Sequence, residues 1–386
     1  MRPDLHALRR ELLLGHRDAS TELEHAIERA RSPEGRAAFV RPMFDEARAQ
    51  IAAGQAHTAL MGLPISVKDL FDIQGQVTTA GSVVLADEAP AAVDAAAVAR
   101  LRAAGGTILG RTHMVEFAFS GVGVNPHAQT PAAWDALVDA PVGAPGRPRV
   151  PGGSSSGAAV SVATGAAFIG LGTDTGGSIR IPAALNGIVG FKSTARRVPT
   201  SGAWPLSTTL DTVCAMTLSV RDAILAHEIL ADRSVVRASA PLSAYRLAVA
   251  GGAMLQGMDA EVAHSFERAL QRLRQAGAVI DDIDLAEIDE LAGIQAAGGF
   301  AVAESHAAHR LRLERDGERY DPRVAARMRR GASMQSHHYL DLIAARNAWI
   351  ERLEQRLRCF DAVLSPTVPI VAPELSDVAT GVVRDD

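Results

Sequence analysis

Residues 151–182 read PGGSSSGAAVSVATGAAFIGLGTDTGGSIRIP. Two Gly-Gly-Ser turns, Gly152-Gly153-Ser154 and Gly176-Gly177-Ser178, bracket one apolar stretch. A single Gly-Ser run is usually a linker. Here the stretch between the turns is patterned: Ala158–Thr164 reads as a helix and Ala167–Gly172 as a buried strand. Glycine lets the backbone turn tightly and aim its N–H groups at a ligand. Serine supplies a hydroxyl that can attack or relay a proton. In the second turn, the N–H groups of Thr175, Gly176, Gly177 and Ser178 precede a helix start and are assigned to an oxyanion-binding nest.

Working outward, lysine is the next signal. Of 39 basic residues only Lys68 and Lys192 are lysines. Arginine stays protonated, whereas a buried lysine can become neutral and act as a base. Lys68 ends the strand-like run of GLPISVKDLFD, residues 62–72, and its apolar approach predicts burial.

The rest of the chain follows α/β grammar. Leu5, Leu8 and Leu12 mark a helix over 4–13. Thr21-x-x-Glu24 reads as a capping box opening a second helix, and a third spans about 43–53. Asp94 starts an Ala-rich helix that ends at Gly105-Gly106, and Thr107–Leu109 is the next strand. Residues 127–150 read as a long loop. A second unit follows: strand 246–250, helix 260–276, strand 278–283. Residues 286–357 are mostly helical, and 361–365 form a last strand. The fold expected is α/β, a mixed central sheet covered by helices on both faces, in a single domain over residues 1–386.

Composition excludes several classes. The chain is 47% hydrophobic, enough for a sizeable core, with a net charge of −5 that gives no reason to propose nucleic-acid binding. Cys214 and Cys359 cannot build a disulfide framework and have no metal spacing. No window approaches the ~18 apolar residues of a membrane span, and the N-terminus has no leader pattern. A cytoplasmic protein is expected.

The run Gly62–Asp69, Glu116-Phe-Ala-Phe-Ser-Gly with Asn125-Pro-His, Pro151–Gly157 and Thr173–Pro182 resemble, in order, the motifs of the amidase signature family. The resemblance runs from about residue 20 to residue 370. It implies that family's fold and hydrolysis of a carboxamide to a carboxylate and ammonia. Ser178 would be the nucleophile, Ser154 the bridging hydroxyl after a cis peptide with Gly153, and Lys68 the base. Burial of Lys68 would lower its pKa and free its lone pair. The resemblance gives Ser155 a supporting role and places the segment Phe117–Gly121, with Phe119, Ser120 and Gly121, beside the triad, in the acyl pocket. Phe117, Phe119 and Val122 would favour an apolar or aryl acyl group. Asp174 and Arg180 flank the nucleophile and are expected to pair or to hold the loop. Ser156 departs from the family's usual glycine, and Lys192 resembles a strand-end lysine with a packing role.

No metal or organic cofactor is implied, and the expected partner is a small amide; a homodimer stays open. Two alternatives remain: the A subunit of a glutamyl-tRNA(Gln)/aspartyl-tRNA(Asn) amidotransferase, and a silent family member acting as a binding protein. Family chains continue past Ser365-Pro-Thr-Val-Pro with a further strand and helix. This sequence stops at Asp386, and so reads as a short member or a fragment.

Rival motifs fail on context. Gly153-Ser-Ser-Ser-Gly157 matches a nucleophile elbow, but Pro145–Pro151 cannot supply the strand that elbow needs. Gly190-Phe-Lys192-Ser lacks the glycine a phosphate loop places before its lysine. His306 and His309, with Glu304, read as solvated helix side chains rather than metal ligands.

Overall fold

The computed structural model describes residues 2–54, 58–237 and 240–379. The charged tail before Asp386 lies outside them. The chain divides into two compact units: Met1–Val235 with His309–Arg327 and Ala372–Asp386, and Val236–Ala308 with Met328–Val371. Each is described by itself.

The first unit contains β1 (Phe39–Pro42), β2 (Pro64–Lys68), β3 (Thr107–Thr112), β4 (Trp134–Asp135), β5 (Ala140–Pro141), β6 (Ile169–Asp174), β7 (Val189–Phe191) and β8 (Thr212–Thr217). Six of them form a sheet in the order β1-β3-β2-β6-β8-β7, and β4 and β5 make a small ribbon. β2 runs parallel to β3 and β6, whereas β8 is antiparallel to β6 and β7. Every residue of β2, β3, β6 and β8 is buried. That accounts for their apolar character without alternation, since strands covered on both faces have no wet side.

Helices flank this sheet, as the sequence predicts. Ser156–Thr164, between the two Gly-Ser turns, packs on β6 and is buried along its whole length. Small residues allow the close approach: a Cβ at Gly170 would lie 2.6 Å from the Ala158 carbonyl oxygen. Val220–Ala231 packs on β8.

Some boundaries differ from the expectation. The second helix is Ala19–Arg31, capped by Asp18, which accepts from the N–H groups of Ser20 and Thr21; Thr21 lies inside it. Asp18 outcompetes the Thr21 box because its carboxylate takes both N–H groups. Asp94 does not cap its helix; it accepts from Gln74 N–H and pairs with Arg102. The 127–150 loop carries the β4–β5 ribbon. β1, β7, β8 and the helix Val220–Ala231 go beyond the elements that the sequence predicts. Thr212-Val-Cys-Ala-Met-Thr217 lacks the alternation and the Gly or Pro punctuation that would mark it.

The second unit holds a three-stranded parallel sheet, ordered β10-β9-β11, from β9 (Arg246–Ala250), β10 (Val279–Ile283) and β11 (Ala362–Leu364). The helix Ala260–Gln275 connects β9 to β10, the crossover that parallel strands require. Among the described residues, no helix is long and apolar enough to cross a membrane.

Candidate active site

Parallel pairing of β2 with β6 brings their carboxyl ends to one edge of the sheet. Lys68 is the last residue of β2, and Thr173 and Asp174 are the last two of β6. Lys68 Nζ therefore lies 2.9 Å from Thr173 Oγ1, and 2.8 Å from Ser154 Oγ in the first turn. Lys68, Ser154 and Ser155 are all 0% exposed. Burial pulls the Lys68 ammonium down to about 7, and the carboxylates of Asp211 and Asp174 oppose that shift.

The first turn is held on every side. The Gly153–Ser154 peptide is cis. Gly153 N–H donates to the Gly121 carbonyl at 2.7 Å, Val115 N–H to the Ser154 carbonyl at 3.1 Å, and Gly157 N–H to the His113 carbonyl at 2.9 Å. Gly123, at φ +102°, passes so close that a Cβ there would lie 2.4 Å from the Gly152 carbonyl oxygen. Ser155 ties this turn to β6 and to the second turn: its hydroxyl donates to the Thr173 carbonyl at 3.3 Å and its N–H to the Ser178 carbonyl at 3.3 Å. The Ser156 hydroxyl donates to the Gly123 carbonyl at 3.2 Å.

The second turn is organised by carboxylates. Asp174 accepts from the N–H groups of Gly177 at 2.9 Å and Ile179 at 3.2 Å, and from the Arg180 guanidinium at 2.8 and 3.0 Å. Burial alone would raise the Asp174 carboxyl, but the Arg180 guanidinium and the N–H groups of Ile179 and Arg180 hold it below the usual range. The Gly177 N–H is thus already committed. The N–H groups of Gly176 and Ser178 make no hydrogen bond among the described residues. A Cβ on Gly176 would meet nothing within 4 Å. The Ser178 side chain lies at this open edge, 7% exposed, and its hydroxyl makes no hydrogen bond to Ser154.

The Glu116–Gly121 segment borders the first turn. Phe119, Ser120 and Gly121 are half-buried. The Phe119 carbonyl accepts from Arg327 at 2.9 Å, and the Ser120 hydroxyl accepts from Val122 N–H at 3.2 Å. A Cβ at Gly121 would meet Ile181 Cδ1 at 3.1 Å, and one at Gly177 would meet the same atom at 2.7 Å, so this segment reaches the second turn. Phe117 turns inward instead, against Trp204, His309 and Tyr320. Val122 packs with Val150, Ala372 and Val378. His309 is not solvated: it is fully buried, bonded to Tyr320 Oη at 3.0 Å, and burial lowers it to about 4. Lys192 donates to the Ser193 carbonyl at 2.7 Å.

Arg111 and Asp211 of this neighbourhood carry no sequence signal, and Asp69 and Glu116 stand inside motifs that assign them no role. Arg111 and Asp69, both buried, pair at 2.6 Å and fix the turn that follows Lys68. Glu116 accepts from Ser82 at 2.7 Å and from Asp321 N–H at 2.7 Å, and lies 2.9 Å from His127 Nε2. Asp211 accepts the Thr175 hydroxyl at 2.5 Å. A buried amine against the Ser154 and Thr173 hydroxyls, with a second serine on a turn with open N–H groups, is an arrangement that can run nucleophilic acyl transfer.

The amidase family's sequence profile matches residues 22–384. A 2-amino-5-chloromuconic acid deaminase of Comamonas testosteroni is 40% identical over 357 residues, which is 87% of this chain and 74% of that protein. The A subunit of the glutamyl-tRNA(Gln) amidotransferase of Nitratidesulfovibrio vulgaris is 39% identical over 301 residues, 73% of this chain; the match spans 58% of that relative, less than two thirds of its length. Among solved structures, a crystal structure of an amidase superposes with a TM-score of 0.85 at 34% identity, covering 97% of this chain and 84% of its own.

Proposed function

This chain belongs to the amidase family, hydrolases of carbon–nitrogen bonds, and from that membership we propose that it converts a small carboxamide to a carboxylate and ammonia through an acyl-enzyme at Ser178. The observation that carries this reading is the buried Lys68 amine, 2.8 Å from Ser154 Oγ and with its pKa pulled to about 7. At neutral pH such an amine has a lone pair available.

In the proposed sequence, Ser178 Oγ attacks the amide carbon. Its proton passes to Ser154 as the Ser154 proton passes to Lys68. The tetrahedral oxyanion would be held by N–H groups of the Thr175–Ser178 turn, those of Gly176 and Ser178 above all, because Asp174 takes the Gly177 N–H. The proton returns through Ser154 to the leaving nitrogen, the C–N bond breaks and ammonia departs. Water then attacks the ester over the same relay, giving the carboxylate and free Ser178. Closure of the Ser154–Ser178 hydrogen bond is expected to accompany substrate binding, since catalytic hydrogen bonds tighten in the Michaelis complex. Phe119, Ser120 and Gly121 would line the acyl side.

The test is ammonia release from short aliphatic and aryl amides, between about pH 6 and 10, for the wild type and Ser178→Ala. Activity that vanishes in the variant supports the reading. A folded wild type that releases ammonia equally well without Ser178 overturns it. The amidotransferase relative favours a second reading, in which the chain acts on glutamine as one member of a complex. Ammonia from glutamine only when partner proteins are added would select it.

A further inference from the structure

Asp211 lies one residue before β8, and the antiparallel register that pairs Asp174 with Thr212 places it across from Thr175, the first residue of the second turn. Its Oδ1 accepts the Thr175 hydroxyl at 2.5 Å. Its Oδ2 accepts the N–H groups of Leu206 at 2.9 Å and Ser207 at 3.1 Å. All three partners donate, so the carboxylate is the form that this site fits; a protonated carboxyl would have to give up one of them. One carboxylate thus fastens the second turn to the loop 204–207, whose Trp204 indole N–H donates to His309 Nε2 at 3.4 Å.

We propose that Asp211 is a positioning residue of the acyl-transfer site: it braces the Thr175–Ser178 turn through the Thr175 hydroxyl and keeps a negative charge facing Lys68. This inference rests on the amidase reading above. Lys68 touches Ser154 and Thr173; Thr173 and Thr175 flank Asp174 at the end of β6, so Asp174 with its Arg180 partner and Asp211 on the Thr175 hydroxyl lie close to this amine, and these two carboxylates and the buried Cys214 thiol are the groups that act on its charge. Asp174 is neutralised by Arg180 within hydrogen-bond distance, whereas the hydrogen-bond partners of Asp211 among the described residues are hydroxyl and N–H donors. Asp211 therefore contributes the less compensated charge. Its effect opposes that of burial: it keeps Lys68 basic enough to take a proton from Ser154.

The chain offers a direct readout, because Lys68 and Lys192 are its only lysines. Protein carrying carbon-13 at lysine Cε gives two signals, and Lys192→Arg assigns them. The midpoint of the Lys68 signal against pH is then followed in the full chain, whether or not a substrate is in hand. Asp211→Asn is expected to lower that midpoint by about half a unit or more and to carry the acid limb of the pH–rate profile with it. Thr175→Val removes the brace and leaves every charge in place. It is expected to lower kcat about tenfold with the Lys68 midpoint unmoved, a loss of one turn contact. An unchanged midpoint in Asp211→Asn overturns the electrostatic part, and an unchanged kcat in Thr175→Val overturns the brace. If Asp211→Asn does not fold, Thr175→Val still decides the brace. Failure of the amidase reading looks different: a wild type whose Lys68 titrates near its ordinary 10.5, or one that hydrolyses no amide while Asp211→Asn still moves the midpoint.

Discussion

The two Gly-Ser turns have similar sequences and opposite surroundings. The turn at Gly152–Ser156 is buried and touched on all sides, by β3's continuation at His113–Val115, by Gly121 and Gly123, and by β6. The turn at Thr175–Ser178 is gripped from behind by Asp174 and Asp211, and its front is open at Gly176. In the first, glycine serves packing, because there is no room for a Cβ. In the second, Gly176 serves access, because the space in front of it is left for something else, while Gly177, at φ +139°, is as confined as the glycines of the first turn. In the proposed mechanism the difference separates a relay, which must not move and must stay dry, from an attacking group, which must meet a ligand.

The contrast can be broken or sharpened by substitution. The largest effect is expected at Lys68, which belongs to the dry side. Lys68→Met should lower kcat/KM on an amide by about a thousandfold, within the range of general-base catalysis. It should not lower the melting temperature, since it removes an amine that burial already disfavours in its charged form. Next is Gly123→Ala, which forces a Cβ to 2.4 Å from the Gly152 carbonyl at φ +102°. Backbone strain and overpacking together predict a loss of about 3 kcal/mol in denaturant unfolding. A pH series follows. With Lys68 at about 7, the neutral base is depleted as pH falls, so kcat/KM should drop about tenfold per unit below 7 and level off above it. Stability carries the same sign. The folded Lys68 pKa lies below its unfolded value of 10.5, so the unfolded chain binds the extra proton between about 7 and 10.5, and stability should rise with pH across that window. The smallest effect is expected at Gly176→Ala. With no atom within 4 Å of the added Cβ, unfolding should change by no more than about 0.5 kcal/mol, and the cost should fall on KM. Equal destabilisation by Gly123→Ala and Gly176→Ala would erase the distinction between the turns.

What is legible in the sequence follows the same divide. Lys68, Ser154 and Ser178 stand in short motifs with their own glycines, and the strand ends that carry them are apolar runs, so local reading reaches them. The mixed, helix-flanked sheet is legible because strands and helices alternate with clear punctuation. Asp211 is not, because its partner Thr175 lies 36 residues away and the contact exists only through the antiparallel register of β6 and β8. Arg111 and Asp69 are 42 apart and meet only because β2 and β3 are parallel neighbours. In sequence Phe117 reads as a pocket wall; only the aromatic ring set of Trp204, His309 and Tyr320 reveals that it faces the core. The commitment of the Gly177 N–H to Asp174 is a local contact, yet the turn's backbone angles, not its residue types, decide it.

The most direct test of the central claim is to quench the protein in acid during turnover of an activated ester such as p-nitrophenyl acetate and to map the acyl group by peptide mass. The acyl group is expected on the peptide containing Ser178 in the wild type and is expected to be lost from that peptide in Ser178→Ala. An acyl group on Ser154 or Ser155 in a protein that still turns over, or turnover unaffected by the loss of Ser178, would contradict it.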